Sequence, residues 1–588
     1  MLPRPFLLCA LAMLLAPVFL FPMLARAAVQ PLEVPAVAPK VDCKTLISAD
    51  ISQAVGAPTR ITSSDVVDDG RTSPYCRVQI EIDGYAKSEV HLPVSGWQQR
   101  FLAGNGAGGS NQSFAFATMS RSDIGHRGDE DAFANNYQLR VDFAYRMVHL
   151  QVVASKTLIA RYYGQAPKFS YYNACSEPGR EGMMEVERFP EDFDGAVTGC
   201  PPINDTINNG LYEAWNIRTN TRDDGSQIIT YDKLPLLHKA VLDECDSADG
   251  ATDGIVSEPL ECHPKLTEIE CKSGQDESTC LTAEQLHTAL ELYRGAHDQK
   301  GGKLEPFGVL PGSELLWTTV IAPNPSQSGR PAVSTDRLGT VKALRSEFSQ
   351  PAIGTDWLLS DLNFDRTTFD TFTKTHYLYD ATDPDLSAYA KAGHKLIIWQ
   401  GLADNNVLPA HTILYYTALQ KTMGAKTVDQ FVRLYLLPGV GHCGGGDGPS
   451  IRDFLSPMMA WVERGVAPEA LPASHIPQPT RGTGGAARVA AQAGTGGTGA
   501  PGGGFFAQGN MEIGGAIPDL TRPIYPYPHV QKYTGNGDVR EAANFVEGPA
   551  RPAPPAVFQW FGADFYRPGY EKWCSATGPT TLDCKSSR

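Results

Sequence analysis

Three side chains that together could attack a carbonyl each stand behind a strand-like run. Ser176 lies in YYNACSEPGREGMMEVERFPEDFDG, Asp404 ends KLIIWQGLAD, and His442 ends FVRLYLLPGVGH. Serine is a weak nucleophile at its own pKa. It needs a histidine to take its proton and return it to the leaving alkoxide, and a carboxylate to orient the imidazole and stabilise its charged form. The order Ser, Asp, His on successive strand ends is that of serine hydrolysis carried out above a parallel sheet. Singly, each residue has a plainer role open to it: a helix N-cap for Ser176, a loop cap for Asp404, a glycine-turn histidine for His442. The strand-to-helix pattern G-x-S-x-G is only partly met, since Ala174 and Pro178 stand at the glycine positions. Alanine adds one methyl to a tight turn, and proline is tolerated in a first helical turn, where its missing N–H has no partner to lose. The oxyanion donors expected of such a site are the backbone N–H of Glu177 and that of Gly106 or Ala107, in the GNGAGG turn after Phe101 and Leu102.

The elements that must carry these residues follow from hydrophobic patterning. Short apolar runs at Arg100–Leu102, Phe169–Tyr172, Lys395–Trp399 and Phe431–Leu436 end in glycine-bearing turns and lead into helical patterns. That alternation predicts an α/β fold with a parallel sheet and crossover helices, whose ligand site lies beyond the carboxyl ends of the strands. Residues 28–201 and 390–480 read as two parts of one core. Residues 202–389 lose the alternation and read as a lid-like insertion; 481–515 are Gly/Ala/Thr-rich and read as a flexible surface loop without chemistry; 516–588, rich in Pro and Tyr, return to the core.

Composition narrows the class. A chain of 588 residues with 42% hydrophobic content supports a large core, and a net charge of −15 without a basic stripe excludes a nucleic-acid partner. Residues 1–27 read as a signal peptide: Arg4, an apolar run from Phe6 to Leu24, then Ala25–Arg26–Ala27. A retained anchor is the alternative, but Pro17 and Pro22 interrupt the run, and no later segment is long and apolar enough to span a bilayer. The expected location is periplasmic or extracellular. Of twelve cysteines, Cys9 leaves with the signal, and eleven remain for an oxidising compartment. Nearest-neighbour spacing suggests Cys43 with Cys76, Cys245 with Cys262, Cys271 with Cys280 and Cys574 with Cys584, leaving Cys175, Cys200 and Cys443 near the chemistry.

Taken together, GWQQRFLAGNG, the SDIGH segment with Asp123 and His126, VDFAYRMVHL, the Ser176 stretch, DPDLSAYAKAG, QGLAD, LLPGVGHCGGG and RPIYPYPHVQKYTGNGDVREAANF resemble the tannase and feruloyl esterase family, which includes mono(hydroxyethyl) terephthalate hydrolase. The resemblance covers nearly the whole mature chain. It implies an α/β-hydrolase fold, a lid inserted before the strand bearing the acid, and hydrolysis of a small ester of an aromatic acid: feruloyl or another hydroxycinnamoyl, galloyl, or a terephthalate monoester. It also implies a disulfide between Cys175 and Cys443, the chain neighbours of Ser176 and His442, which leaves Cys200 as the free thiol. It further implies a structural Ca²⁺ in the lid held by Asp246, Asp249 and Asp253 with the carbonyls of Ala251 and Ile255; oxygen donors of this kind suit that ion, and an Asp/Gly turn without metal is the alternative.

The chain departs from the family pattern at Ala174 and Pro178, and at Tyr525 and Glu547, where relatives often carry a cysteine pair. The altered elbow leaves a second class open, a secreted binding protein on the same fold without turnover. His126 precedes Ser176 and lacks the post-strand position of His442, so it stays outside the triad. Arg345, Phe348 and Trp357 could clamp a ring or a carboxylate in the lid, or belong to its core and surface; oligomeric state is not legible.

Overall fold

Strand burial splits the main sheet into two kinds of strand. In the first kind, Tyr75–Ile82 alternates buried and more exposed positions, the pattern of a strand with one face on the core. In the second, Phe169–Cys175 and Gly195–Gly199 are buried almost throughout, because helices cover both faces. The structure is a computed structural model that describes residues 30–586 apart from 69, 71–72, 105–116, 123–129, 306, 325–334, 477–518 and 552–564.

The sheet has nine strands: β1 (Thr59–Val67), β2 (Tyr75–Ile82), β3 (Ala86–Pro93), β4 (Arg100–Ala103), β5 (Ala117–Ser122), β6 (Phe169–Cys175), β7 (Gly195–Gly199), β8 (Lys395–Gly401) and β9 (Val432–Leu437). Their order is β1-β2-β3-β5-β4-β6-β7-β8-β9. β1, β2, β3 and β5 pair antiparallel, and every pair from β5–β4 to β8–β9 is parallel. This is the α/β-hydrolase fold expected from the sequence, with an antiparallel edge that the search for strand–helix alternation did not reveal. Helices α1 (Met147–Tyr163) and α2 (Glu177–Arg188) connect the strands before the long insertion.

Among the described residues, none between β7 and β8 adds a strand to this sheet. The segment contains α3 (Leu234–Cys245) and α4 (Ala283–Arg294) and buries its own apolar set, including Leu237, Val241, Leu286, Leu292, Trp317 and Ile321. Leu408 and Ala410, just beyond the acid-bearing loop, join that set and so bolt the insertion to the sheet. After β8 come α5 (Pro409–Met423) and, past β9, α6 (Leu455–Arg464). The last segment returns as expected: β10 (Ser450–Ile451), β11 (Leu471–His475) and β12 (Leu520–Ile524) form a small sheet, and the Tyr527 N–H donates to Leu434 O of β9 at 2.7 Å.

Candidate active site

Ser176 occupies a one-residue hinge between β6, which ends at Cys175, and α2, which starts at Glu177. Its φ of +72° and ψ of −139° lie outside the regions that L-residues favour, the strained turn that lifts a nucleophile above a sheet. The turn is held by its surroundings: Ser176 N–H donates to Gly199 O of β7 at 2.8 Å. Gly179 is required here, since a Cβ on it would lie 2.5 Å from the same Gly199 oxygen. Ala174 is buried within β6 and Pro178 sits in the first turn of α2, so both departures are absorbed without losing the elbow.

His442 Nε2 lies 2.7 Å from Ser176 Oγ, and its Nδ1 lies 2.8 Å from Asp404 Oδ2. Asp404 is fully buried, and each of its oxygens has further donors. Oδ1 accepts the N–H groups of Asn406 and Val407, both at 2.9 Å, and Oδ2 accepts Gln400 Nε2 at 3.1 Å. Gln400 is fixed in turn by the Thr412 hydroxyl at 3.0 Å. Gln400 and Thr412 were not identified from sequence; the QGLAD run held the signal, since a glutamine four residues before an acid at a strand end can fold back onto it. Burial disfavours a charged imidazole, but the charge and hydrogen bond of Asp404, aided by the charge of Glu213, outweigh it and raise the His442 pKa above its ordinary value.

Cys175 and Cys443 are bonded, with a Cα–Cα distance of 5.9 Å, so the turn carrying the serine is tied covalently to the turn carrying the histidine. The four spacing-based pairs, Cys43–Cys76, Cys245–Cys262, Cys271–Cys280 and Cys574–Cys584, are present as well. Cys200 is the free cysteine of the described residues and is buried. It follows β7 with φ +39°, and its sulfur, an Asp404 oxygen and a His442 nitrogen lie within 4.8 Å of one another. Burial, with the Asp404 charge adding to it, pushes this thiol well above its ordinary pKa and keeps it protonated.

Glu177 stands at the first position of α2, where its N–H has no partner within the helix. Gly106, Ala107, Asp123 and His126 lie outside the described residues. Arg345 pairs with Asp131 at 2.7 Å, Phe348 is buried against Tyr379, and Trp357 packs against Phe372.

In the insertion, Asp246, Asp249 and Asp253 share one turn. Asp246 Oδ1 accepts the Asp253 N–H at 3.0 Å and the Gly254 N–H at 3.2 Å. Asp249 accepts the Ala251 N–H at 2.9 Å and the Ser257 hydroxyl at 2.8 Å. Asp253 accepts the Ile255 N–H at 3.2 Å and pairs with Arg522. Burial raises the Asp253 pKa, Arg522 opposes it, and the charges of Asp249 and Asp246 add to it. The three carboxylates are oxygen donors of the kind that suits a hard divalent cation, while one of them, Asp253, is already paired with the Arg522 guanidinium.

Residues 76–547 match the tannase and feruloyl esterase family. The chain is 31% identical over 465 residues to a probable feruloyl esterase B-2 of Aspergillus terreus, covering 72% of this chain and 81% of the relative. It is 31% identical over 437 residues to feruloyl esterase C of Talaromyces stipitatus, covering 67% and 77%. Among solved structures, feruloyl esterase B from Aspergillus oryzae superposes with a TM-score of 0.68 at 24% identity, over 86% of this chain and 99% of the other. The tannin acyl hydrolase from Aspergillus niger gives 0.60 at 21% identity, over 84% and 90%. Both likenesses are of fold.

Proposed function

Because the chain belongs to the tannase and feruloyl esterase family and is a carboxylic ester hydrolase, we propose that it cleaves esters of aromatic acids through a Ser176–His442–Asp404 triad. The carrying observation is the unbroken path from Ser176 Oγ through both ring nitrogens of His442 to the buried Asp404. Ser176 Oγ adds to the ester carbonyl as its proton passes to His442 Nε2. The tetrahedral oxyanion is received by the Glu177 N–H and by a donor from the GNGAGG loop. Collapse breaks the carbon–alkoxide bond, and His442 protonates the departing alkoxide. Water, deprotonated by His442, then adds to the acyl carbonyl, and collapse breaks the carbon–Oγ bond as His442 returns the proton to Ser176 Oγ and the acid leaves. Hydroxycinnamoyl esters lead as substrates, supported by relatives named feruloyl esterases, ahead of galloyl esters and terephthalate monoesters.

The departures at Ala174 and Pro178 are the ground for a non-catalytic reading, and Ser176 keeps both its elbow geometry and its histidine. Asp246, Asp249 and Asp253, with the carbonyls of Ala251 and Ile255, would hold a structural Ca²⁺ that offsets their charge. Five disulfides support export to an oxidising compartment. Among the described residues, no helix is long and apolar enough to cross a membrane. Turnover of methyl ferulate, methyl gallate and mono(hydroxyethyl) terephthalate, run beside Ser176→Ala, tests the reading. Hydrolysis of at least one ester, lost in the variant, is expected, and turnover that survives Ser176→Ala would overturn it.

A further inference from the structure

The residue after the nucleophile poses an electrostatic problem. Glu177 offers its N–H to the position where negative charge develops, yet its own side chain is a carboxylate, a quarter exposed, beside the same turn. An anion there would oppose the charge that the backbone donor is meant to stabilise.

Arg180, one turn further along α2, answers it. Its guanidinium is fully buried, and each of its N–H groups has a partner. Nε donates to Glu177 Oε1 at 2.7 Å, and Nη2 reaches the same oxygen. The remaining N–H groups go to the carbonyls of Ala144 at 3.1 Å, Tyr379 at 2.9 Å and Phe143 at 3.2 Å. Two of these carbonyls lie in the helical turn Asp142–Arg146, which runs directly into α1, and the third ends the short helix His376–Tyr379 of the insertion. The charge is thereby fixed in place by backbone from two distant segments. Lysine, with three donors from a single nitrogen, cannot reproduce this fork.

A second acid nearby is held more loosely than Glu177. Asp205 Oδ2 lies 3.7 Å from Arg180 Nε. Burial, with the charges of Glu177, Glu347 and Asp380 and against that of Arg180, raises the Asp205 pKa well above its ordinary value.

We infer that Arg180 is a positioning residue of the oxyanion hole: it pins the Glu177 carboxylate and cancels its charge beside the N–H that receives the developing oxyanion. This rests on the assignment of Ser176 and the Glu177 N–H made above.

The test is a double-mutant cycle on methyl ferulate, reading kcat and KM separately, with Arg180→Met, Glu177→Gln, both together, and Ser176→Ala as control. Arg180→Met is expected to lower kcat by about 10²-fold, the scale of losing one oxyanion donor, with KM little moved. In the Glu177→Gln background, where no carboxylate remains to be cancelled, the same change is expected to cost roughly tenfold less, the non-additivity of directly coupled residues. An equal loss in both backgrounds overturns the inference and leaves Arg180 as scaffold. Should Arg180→Met fail to fold, Glu177→Gln alone decides: the uncompensated guanidinium is expected to raise kcat at constant KM, and a fall or no change overturns the inference. Activity surviving Ser176→Ala would instead sink the assignment of the site. Activity lost in Ser176→Ala without coupling between Arg180 and Glu177 sinks only the role of Arg180.

Discussion

Two acidic loops in this protein solve the same problem in opposite ways. At the strand ends, the single carboxylate of Asp404 receives two backbone N–H groups, the Gln400 amide and the His442 imidazole, so the chain supplies every partner it needs. In the insertion, Asp246, Asp249 and Asp253 share backbone N–H groups, one hydroxyl and the guanidinium of Arg522. In the function proposed above, the first loop is charge-matched for a proton relay, and the second carries surplus negative charge that a divalent cation would balance. A carboxylate already supplied with donors by its own chain can act on a neighbour, whereas clustered carboxylates repel one another unless a cation offsets their charge.

The largest effects should fall on the self-sufficient loop. Ser176→Ala and His442→Ala are each expected to lower kcat on the order of 10⁶-fold, with the double variant scarcely worse, since a triad acts as one unit; steady-state kinetics on the best ester would show it, and clear additivity would separate the two residues. Asp404→Asn is expected to cost about 10⁴-fold by presenting the wrong histidine tautomer.

Next comes the bridge between the serine and histidine turns. Replacing Cys175 and Cys443 by alanine removes a closed loop spanning 268 residues, for which chain entropy alone gives roughly 5 kcal/mol. Thermal unfolding should drop sharply and kcat with it, and a well-folded, fully active variant would show that the bond does not position the triad.

The acidic loop of the insertion should respond more mildly. Chelator is expected to lower the melting temperature by a few degrees while leaving kcat on a small ester nearly intact, and Arg522→Gln should cost more stability in chelator than in calcium. An unchanged melting curve, with no metal by elemental analysis, would place both loops in the self-sufficient class.

The smallest effect concerns pH. His442 acts as a base only when neutral, and its pKa is raised, so kcat/KM should fall as pH drops through a value above the ordinary imidazole pKa of about 6.5. Glu213→Gln removes one of the raising charges and should move this acid limb to lower pH. A limb that moves upward would mean that the charge of Glu213 does not act on His442.

The parallel strands carrying Ser176, Asp404 and His442 were legible because each is a short, continuously apolar run stopped by a glycine-bearing turn, a local pattern. The antiparallel edge β1–β3 was not, since its half-buried strands alternate and precede any turn that chemistry would single out. Contacts made only by tertiary folding were likewise silent. Nothing near Thr412 says that it steadies Gln400, and nothing near Arg180 says that three distant carbonyls converge on it. Arg345 is a like case: a cation in a lid left a substrate clamp and a structural role equally open, and its pairing with an aspartate 214 residues away in sequence had no local sign.

The disulfide between Cys175 and Cys443 also encloses other covalent links. The two bonds of the insertion join cysteines 17 and 9 residues apart, and both lie inside the 268-residue ring. Cys200, at the neighbouring strand end, is a third thiol, and pairing with it would close the wrong ring. Its burial in the folded protein removes it from thiol–disulfide exchange, so the native pairing is guarded by the packing around the one cysteine of the described residues that could scramble it.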